Sequence, residues 1–187
     1  MKIFIIHGWS GHPEEAWFPW LKNKLEEKGH EVQVPQMPNK DTPNIEEWVN
    51  FLKKHVQPDE NTFFIGHSIG CQTIMRYIVD LNIKIGGALF VAGFFNLIEG
   101  SMGDEEQQIA KPWLETPINT DKIKQNCKKI VTIFSDNDPY VPVSDSKIFK
   151  NKLEAETLIL EKKGHMGASD NCPELPIALE ILEEMFK

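Results

Sequence analysis

Ser68 lies at the centre of a pentapeptide whose spacing is typical of a nucleophile turn. Residues 66–70 read Gly-His-Ser-Ile-Gly, directly after an apolar stretch and directly before a segment with helical spacing. In such a tight turn a Cβ at either glycine position would collide with neighbouring backbone, while the serine is held with its Oγ projecting. The bare pattern occurs often by chance, so its place between a strand and a helix is what favours a catalytic serine over an ordinary junction.

A carboxylate and a histidine follow at the ends of two later predicted strands. Asp138 belongs to a Ser-Asp-Asn-Asp-Pro segment over 135–139, and His165 to a Lys-Gly-His-Met-Gly segment over 163–167. A carboxylate in this position can accept the Nδ1–H of a histidine and stabilise the imidazolium that forms when a serine loses its proton. The acidic segment is also compatible with a simple Asx turn, whereas the glycine of a calcium loop is missing after Asp138.

The acidic segment offers two aspartates, and spacing alone does not choose between them. Asp138 is preferred because Pro139 biases it to an extended conformation. Asp136 is expected to have a structural role, its carboxylate capping the N–H groups of the turn at Asn137 and Asp138. The resulting order along the chain, Ser68, then Asp138, then His165, differs from the orders of the chymotrypsin and subtilisin triads.

Two backbone N–H groups are candidates for an oxyanion hole. The first belongs to Trp9, in the His-Gly-Trp-Ser-Gly loop over 7–11 that follows the first strand, and the second to Ile69 after the serine. The helix that starts at Ile69 adds the positive end of its dipole. A metal pair formed by His7 and His12 is disfavoured because no third ligand lies at suitable spacing, so neither a metal nor another cofactor is expected.

The elements that must position these residues alternate between strands and helices. Short apolar runs bounded by Gly, Pro or polar residues predict six strands, at Lys2–Ile6, Glu31–Val34, Thr62–Ile65, Ile85–Ala92, Lys129–Phe134 and Glu156–Leu160. Helical spacing predicts helices at Trp17–Lys28, Ile45–Val56, Ile69–Leu81, Val143–Lys152 and Glu174–Phe186. This alternation predicts an α/β fold, a three-layer sandwich with a mostly parallel six-stranded sheet covered on both faces.

Residues 1–187 are expected to form one domain with a single interruption. Over 94–122 glycines and prolines break up a polar stretch between the fourth and fifth strands. This segment is interpreted as a small cap-like insertion over one end of the sheet, because loops longer than about 12 to 15 residues in compact domains are usually functional or disordered. An ordinary long loop is the alternative.

Composition excludes several classes of function. The chain has 28 acidic against 20 basic side chains, a formal charge of −8, and Arg76 as its single arginine, which argues against a nucleic-acid partner. No apolar run reaches the roughly 18 residues of a membrane span, and Ile3–Ile6 is shorter than the roughly 7 to 15 residues of a signal-peptide core. Three widely spaced cysteines form no disulfide framework. A cytoplasmic location is therefore expected.

These motifs together resemble the α/β-hydrolase superfamily, and within it the small serine hydrolases similar to the retinoblastoma-binding serine hydrolase. The resemblance is carried by His-Gly at 7–8, the 66–70 turn, Pro-Trp at 112–113, the 138–142 turn and Gly-His at 164–165. It implies a reduced hydrolase sheet with strand order 2-1-3-4-5-6, in which the Trp9 loop and Ser68 meet at the topological switch point. The L-x-C-x-E type motif behind the retinoblastoma label is absent, so that protein partner is not expected.

The function expected from this site is hydrolysis of a small-molecule carboxylic ester through an acyl-enzyme on Ser68, with His165 as general base and Asp138 as its orienting acid. A thioesterase or amidase would use the same groups. A protein-binding or regulatory module on a hydrolase fold is the alternative, and the presence of all three residues favours the enzyme.

Aromatic residues on the predicted active-site loops are the candidates for an acyl pocket. Phe94, Phe95 and Trp113, together with Trp9, could line it, although aromatic residues are as often part of the core. A cysteine hydrolase is disfavoured because Cys71 lies three residues past the serine, off the apex of the turn.

Overall fold

The computed structural model describes residues 1–187 and contains one six-stranded sheet. Its strands are β1 Lys2–Ile6, β2 Glu31–Gln33, β3 Thr62–His67, β4 Ile85–Val91, β5 Cys127–Ser135 and β6 Glu156–Leu160. The strand order is β2-β1-β3-β4-β5-β6, and every neighbouring pair is parallel. The predicted α/β fold is confirmed, as is the strand order that the resemblance implied.

Helices cover both faces of the sheet. They are α1 Phe18–Glu27, α2 Ile45–His55, α3 Ile69–Val79, α4 Asp104–Glu115, α5 Thr120–Asn126, α6 Asp145–Leu153 and α7 Pro176–Met185. A short 3₁₀ turn spans Ala168–Asp170. None of these helices combines the length and the hydropathy that crossing a membrane requires.

Strand residues alternate between two separate hydrophobic cores. In β1, Ile3 and Ile5 belong to the core beneath α1 and α7, whereas Phe4 and Ile6 belong to the core beneath the other helices. Successive side chains of a strand point to opposite faces. A strand covered on both faces must therefore be apolar at every position, which explains the unbroken apolar runs in the sequence.

The inserted segment 94–122 contains helix α4 and the start of α5, neither of which was predicted. Pro112 lies inside α4, and an internal proline normally argues against a helix because it lacks an N–H and crowds the preceding turn. Three acidic residues in the first turn favour the helix N-terminus, and the Glu106 carboxylate accepts a hydrogen bond from the Gly103 N–H (2.7 Å). Burial of Ala110 and Trp113 attaches the helix to the protein.

Arg76 ties the end of α4 to α3. Its guanidinium donates to the carbonyls of Trp113 and Thr116, both at 2.9 Å, and to Oε1 of Gln72 at 3.1 Å. The last carbonyls of a helix have no partner within the helix and carry the negative end of its dipole. Burial without a carboxylate partner lowers the pKa of Arg76 to about 10. Because α3 begins directly after Ser68, the inserted segment is packed against the helix of the candidate nucleophile.

Candidate active site

Ser68 occupies the turn between β3 and α3 in a strained conformation. Its backbone has φ 53° and ψ −121°, a region that residues other than glycine rarely adopt. A Cβ on Gly66 would lie 2.8 Å from the amide nitrogen of Cys71, and a Cβ on Gly70 would lie 2.7 Å from the carbonyl oxygen of His7. Both glycines are thus required by the close approach of backbone, as the pentapeptide predicted.

His165 and Asp138 are hydrogen-bonded to each other. The Nδ1–H of His165 donates to Oδ2 of Asp138 at 2.8 Å, while Oδ1 of the same carboxylate accepts from the N–H groups of Tyr140 (2.8 Å) and Val141 (3.0 Å). The backbone therefore fixes the orientation of the carboxylate. A carboxylate that accepts from Nδ1–H leaves Nε2 of the imidazole free to accept a proton.

Three side chains that precede Asp138 hold the loop that precedes His165. The acceptors are Ser135 Oγ, Asp136 Oδ1 and Asn137 Oδ1, and the donors are the backbone N–H groups of Lys163 (2.9 Å), Lys162 (2.7 Å) and Gly164 (2.9 Å), respectively. The expected role of Asp136 therefore needs correction. Its carboxylate does not cap its own turn, because the neighbouring loop, which lies beside the strand end in the folded chain, supplies the N–H group instead.

The two predicted oxyanion donors face the same cavity as the serine. Trp9 follows β1, and its N–H has no backbone partner, unlike those of Ser10 and Gly11 in the same loop. Its indole N–H donates to the carbonyl of Asp41 (3.0 Å) and so anchors the loop. Ile69 is the first residue of α3, where backbone N–H groups have no partner inside the helix.

His7 has a structural explanation that requires no metal. Its Nδ1–H donates to the carbonyl of Gly8 (2.7 Å), and its Nε2 accepts from the Met37 N–H (2.9 Å) and lies 3.0 Å from the side-chain amide of Gln36. Burial lowers the pKa of this histidine, so the ring is neutral. No group of three His, Cys, Asp or Glu side chains is placed to hold a metal ion.

His67 joins the serine strand to the histidine loop, a contact that the sequence did not predict. Its Nε2–H donates to the backbone carbonyl of His165 at 2.9 Å. The ring is 5% exposed and contacts Trp17 and Phe18 edge-on. Burial, together with the neighbouring His165, lowers the pKa of His67 to about 3. A neutral, buried imidazole thus connects the residue before Ser68 directly to His165.

Ser68 and His165 line a cavity of about 430 Å³. Trp9, Ile69 and Phe94 line it too. The inserted segment supplies further lining residues, Leu97, Ser101, Met102, Gly103, Glu106 and Ala110. Others come from Tyr140 and from the loop after His165, at Gly167, Ala168 and Ser169. None of these was singled out from the sequence, because small and aliphatic residues in loops carry no pattern that identifies a pocket.

Two of the three tentative pocket residues lie elsewhere. The Trp113 side chain is buried in the core, and its indole N–H donates to the carbonyl of Pro43 (3.1 Å). Phe95 packs against Phe149, with ring centroids 4.8 Å apart. Neither side chain lines the cavity, because each finds apolar partners on the core side of its own backbone. Of the three, Phe94 alone reaches the site.

Comparison with known proteins places these features in a family. A family model described as serine hydrolase matches residues 3–184. The protein YdeN of Bacillus subtilis is 29% identical over 188 residues, which cover 99% of this chain and 96% of YdeN. Serine hydrolase RBBP9 of Rattus norvegicus is 28% identical over 167 residues, covering 88% and 86% of the two chains.

Solved structures agree with the family match. The crystal structure of the ydeN gene product superposes with a TM-score of 0.89 over 99% of this chain and 98% of its own, at 29% identity. Est1E of Butyrivibrio proteoclasticus shares the fold, with a TM-score of 0.69 at 18% identity over 100% of this chain and 86% of its own. The match over nearly the whole chain, around a serine held in a strained strand-to-helix turn, means that this chain belongs to the serine hydrolase family.

Proposed function

We propose that this hydrolase cleaves carboxylic esters through an acyl-enzyme on Ser68. The observation that carries the proposal is the 2.8 Å hydrogen bond between His165 and Asp138, beside a serine in a strained turn that lines the same cavity. In this arrangement the general base sits next to a projecting nucleophile, and a buried carboxylate sets the tautomer of the base.

In the proposed mechanism, Oγ of Ser68 attacks the acyl carbonyl while Nε2 of His165 takes the serine proton. Asp138 stabilises the imidazolium, which then protonates the departing alcohol. Water deprotonated by His165 attacks the acyl-enzyme, and the carboxylic acid leaves as Ser68 regains its proton. The N–H groups of Trp9 and Ile69 are assigned to the oxyanion, where preorganised donors lower the barrier most. A thioester or an amide would react through the same steps.

The segment 94–122 is proposed to act as a short cap within a single domain that spans residues 1–187. Its support is the contribution of Leu97, Met102 and Ala110 to the cavity wall, together with the attachment of α4 to α3 through Arg76. A wall of this kind would contact the acyl or alcohol group of a small-molecule substrate and leave the reacting carbonyl to Ser68.

A covalent probe tests the proposal directly. A fluorophosphonate should add one mass adduct to the wild-type protein and none to Ser68→Ala, and p-nitrophenyl esters of increasing chain length should be hydrolysed only by the wild type. Circular dichroism of both proteins checks that each is folded. A folded wild-type protein that takes up no probe and turns over no ester would refute the enzyme and favour a binding or regulatory module.

A further inference from the structure

The candidate active-site cavity is negatively charged. Its formally charged lining residues are Glu15 and Glu106, and neither lysine nor arginine contributes to the wall. The two histidines of the wall are His67, which is held neutral by burial, and His165, whose Nδ1–H is bonded to Asp138. An anionic substrate would therefore meet repulsion without any cationic partner, whereas a cationic substrate would find carboxylates that lack strong partners.

Glu15 is the more important of the two carboxylates. Its side chain is only 15% exposed, and its nearest basic group is Nε2 of His12 at 3.7 Å, a ring that is itself half exposed. Lys40, the other basic residue near Glu15, is engaged elsewhere, since its ammonium donates to the carbonyl of Ser10 (2.8 Å) and to Asp41 (3.2 Å). Burial raises the pKa of Glu15. The cost of desolvating this carboxylate is thus not offset by a salt bridge within the protein.

Glu106 and Trp9 reinforce the same preference. Glu106 is exposed on α4, and one of its oxygens already accepts from the Gly103 N–H, so it adds negative potential at the cap without a close partner of opposite charge. Trp9 lines the cavity with an aromatic ring, and the face of an indole attracts ammonium groups. Both features favour a positive charge on the substrate at some distance from the reacting carbonyl.

We propose that Glu15 selects esters that carry an ammonium group on the acyl or the alcohol side. The inference rests on the proposed ester hydrolysis at Ser68 and adds the substrate class to it. Glu15 acts here as a specificity residue: it pairs with the substrate cation, regains the interaction that burial removed, and leaves the proton transfers to His165.

A pair of isosteric substrates isolates the charge. Butyrylcholine and 3,3-dimethylbutyl butyrate have nearly the same shape, and only the first carries a quaternary ammonium. The wild-type protein should hydrolyse the cationic ester with a kcat/KM about tenfold higher, the scale of one charge-assisted contact. Glu15→Gln should bring the two values together by slowing the cationic ester alone.

Glu14→Gln is the matched control, because Glu14 is the exposed neighbour of Glu15 and lies outside the cavity wall. The Glu14 variant changes net charge by the same amount and should keep the wild-type preference. An equal loss of preference in both variants, or no preference in the wild type, would overturn the inference.

The failure of this inference can be told apart from failure of the proposed function. Fluorophosphonate labelling should proceed at the wild-type rate in Glu15→Gln, because the probe carries no cation. Calorimetric binding of the two esters to Ser68→Ala measures the preference without turnover. Tighter binding of butyrylcholine that disappears in the Ser68→Ala, Glu15→Gln double variant supports the inference even if no ester is hydrolysed, and equal binding of both esters refutes it.

Discussion

Replacing His67 by phenylalanine tests whether the link between the serine strand and the histidine loop matters for activity. The change keeps a ring against Trp17 and Phe18 but removes the Nε2–H that donates to the His165 carbonyl at 2.9 Å. Leaving a buried acceptor without its donor costs about 1 to 3 kcal/mol, so the free energy of unfolding should fall by that amount.

The effect on catalysis should exceed the effect on folding. Without His67 the loop keeps its hydrogen bonds to residues 135–137 and to Asp138, but it loses the contact nearest the base. Misplacing a catalytic group by about 1 Å can cost about 10²-fold in rate. We therefore expect kcat for a p-nitrophenyl ester to fall between about 10- and 100-fold, with KM unchanged.

The conservative variant His67→Gln provides the decisive comparison. Its side-chain amide places an N–H donor at a reach similar to that of Nε2, so kcat should recover most of the loss. Steady-state kinetics and urea unfolding of both variants measure the two effects separately. If His67→Phe keeps the wild-type kcat, or if His67→Gln is as impaired as His67→Phe at equal stability, the reasoning about this hydrogen bond is refuted.

Three further predictions follow from the site and its supports. Asp138→Asn should lower kcat by about 10⁴-fold by leaving the histidine in the wrong tautomer, whereas Asp136→Asn should cost about 1 to 2 kcal/mol of stability with a much smaller kinetic effect; kinetics and thermal melts of both variants decide, and the reverse pattern would move the acid to Asp136. Arg76→Met should lower the free energy of unfolding by about 1 to 3 kcal/mol and speed hydrogen exchange in α4, and unchanged exchange there would contradict its role as a tie. Because the pKa of His67 falls from 6.5 to about 3 on folding, the unfolded chain binds the extra proton between these values; its contribution to stability is complete above pH 6.5 and should fall by about 1.4 kcal/mol per pH unit toward pH 3, a slope that urea unfolding would find missing in His67→Gln.

The parts of the fold predicted from the sequence are those set by local pattern and burial. The strand before Ser68 is apolar at every position because both faces of the sheet are covered, and the glycines at 66 and 70 are required by backbone contacts within the turn itself. Helix α4 was missed because Pro112 argues against a helix locally, whereas burial of Trp113 and the carbonyl contacts of Arg76 stabilise it from outside.

The supports of the site could not be predicted because they join residues far apart in the chain. His67 and His165 are 98 positions apart, and nothing in the Gly-His-Ser-Ile-Gly segment indicates that its second residue donates to another loop. Residue type was equally uninformative for Trp113 and Phe95, since an aromatic side chain on a loop can turn toward a cavity or toward the core. The catalytic roles of Ser68, Asp138 and His165 stay predictions that the labelling and kinetic experiments test.

The loop that carries His165 is held through its main chain, and this has a use in protein engineering. Side chains at 135–137 grip the N–H groups of residues 162–164, while the side chains of Lys162 and Lys163 themselves are exposed. A cysteine introduced at either lysine position would keep every one of those backbone contacts. An environment-sensitive dye attached there would sit two or three residues from the histidine and could report ligand entry by fluorescence, without a substrate that changes colour.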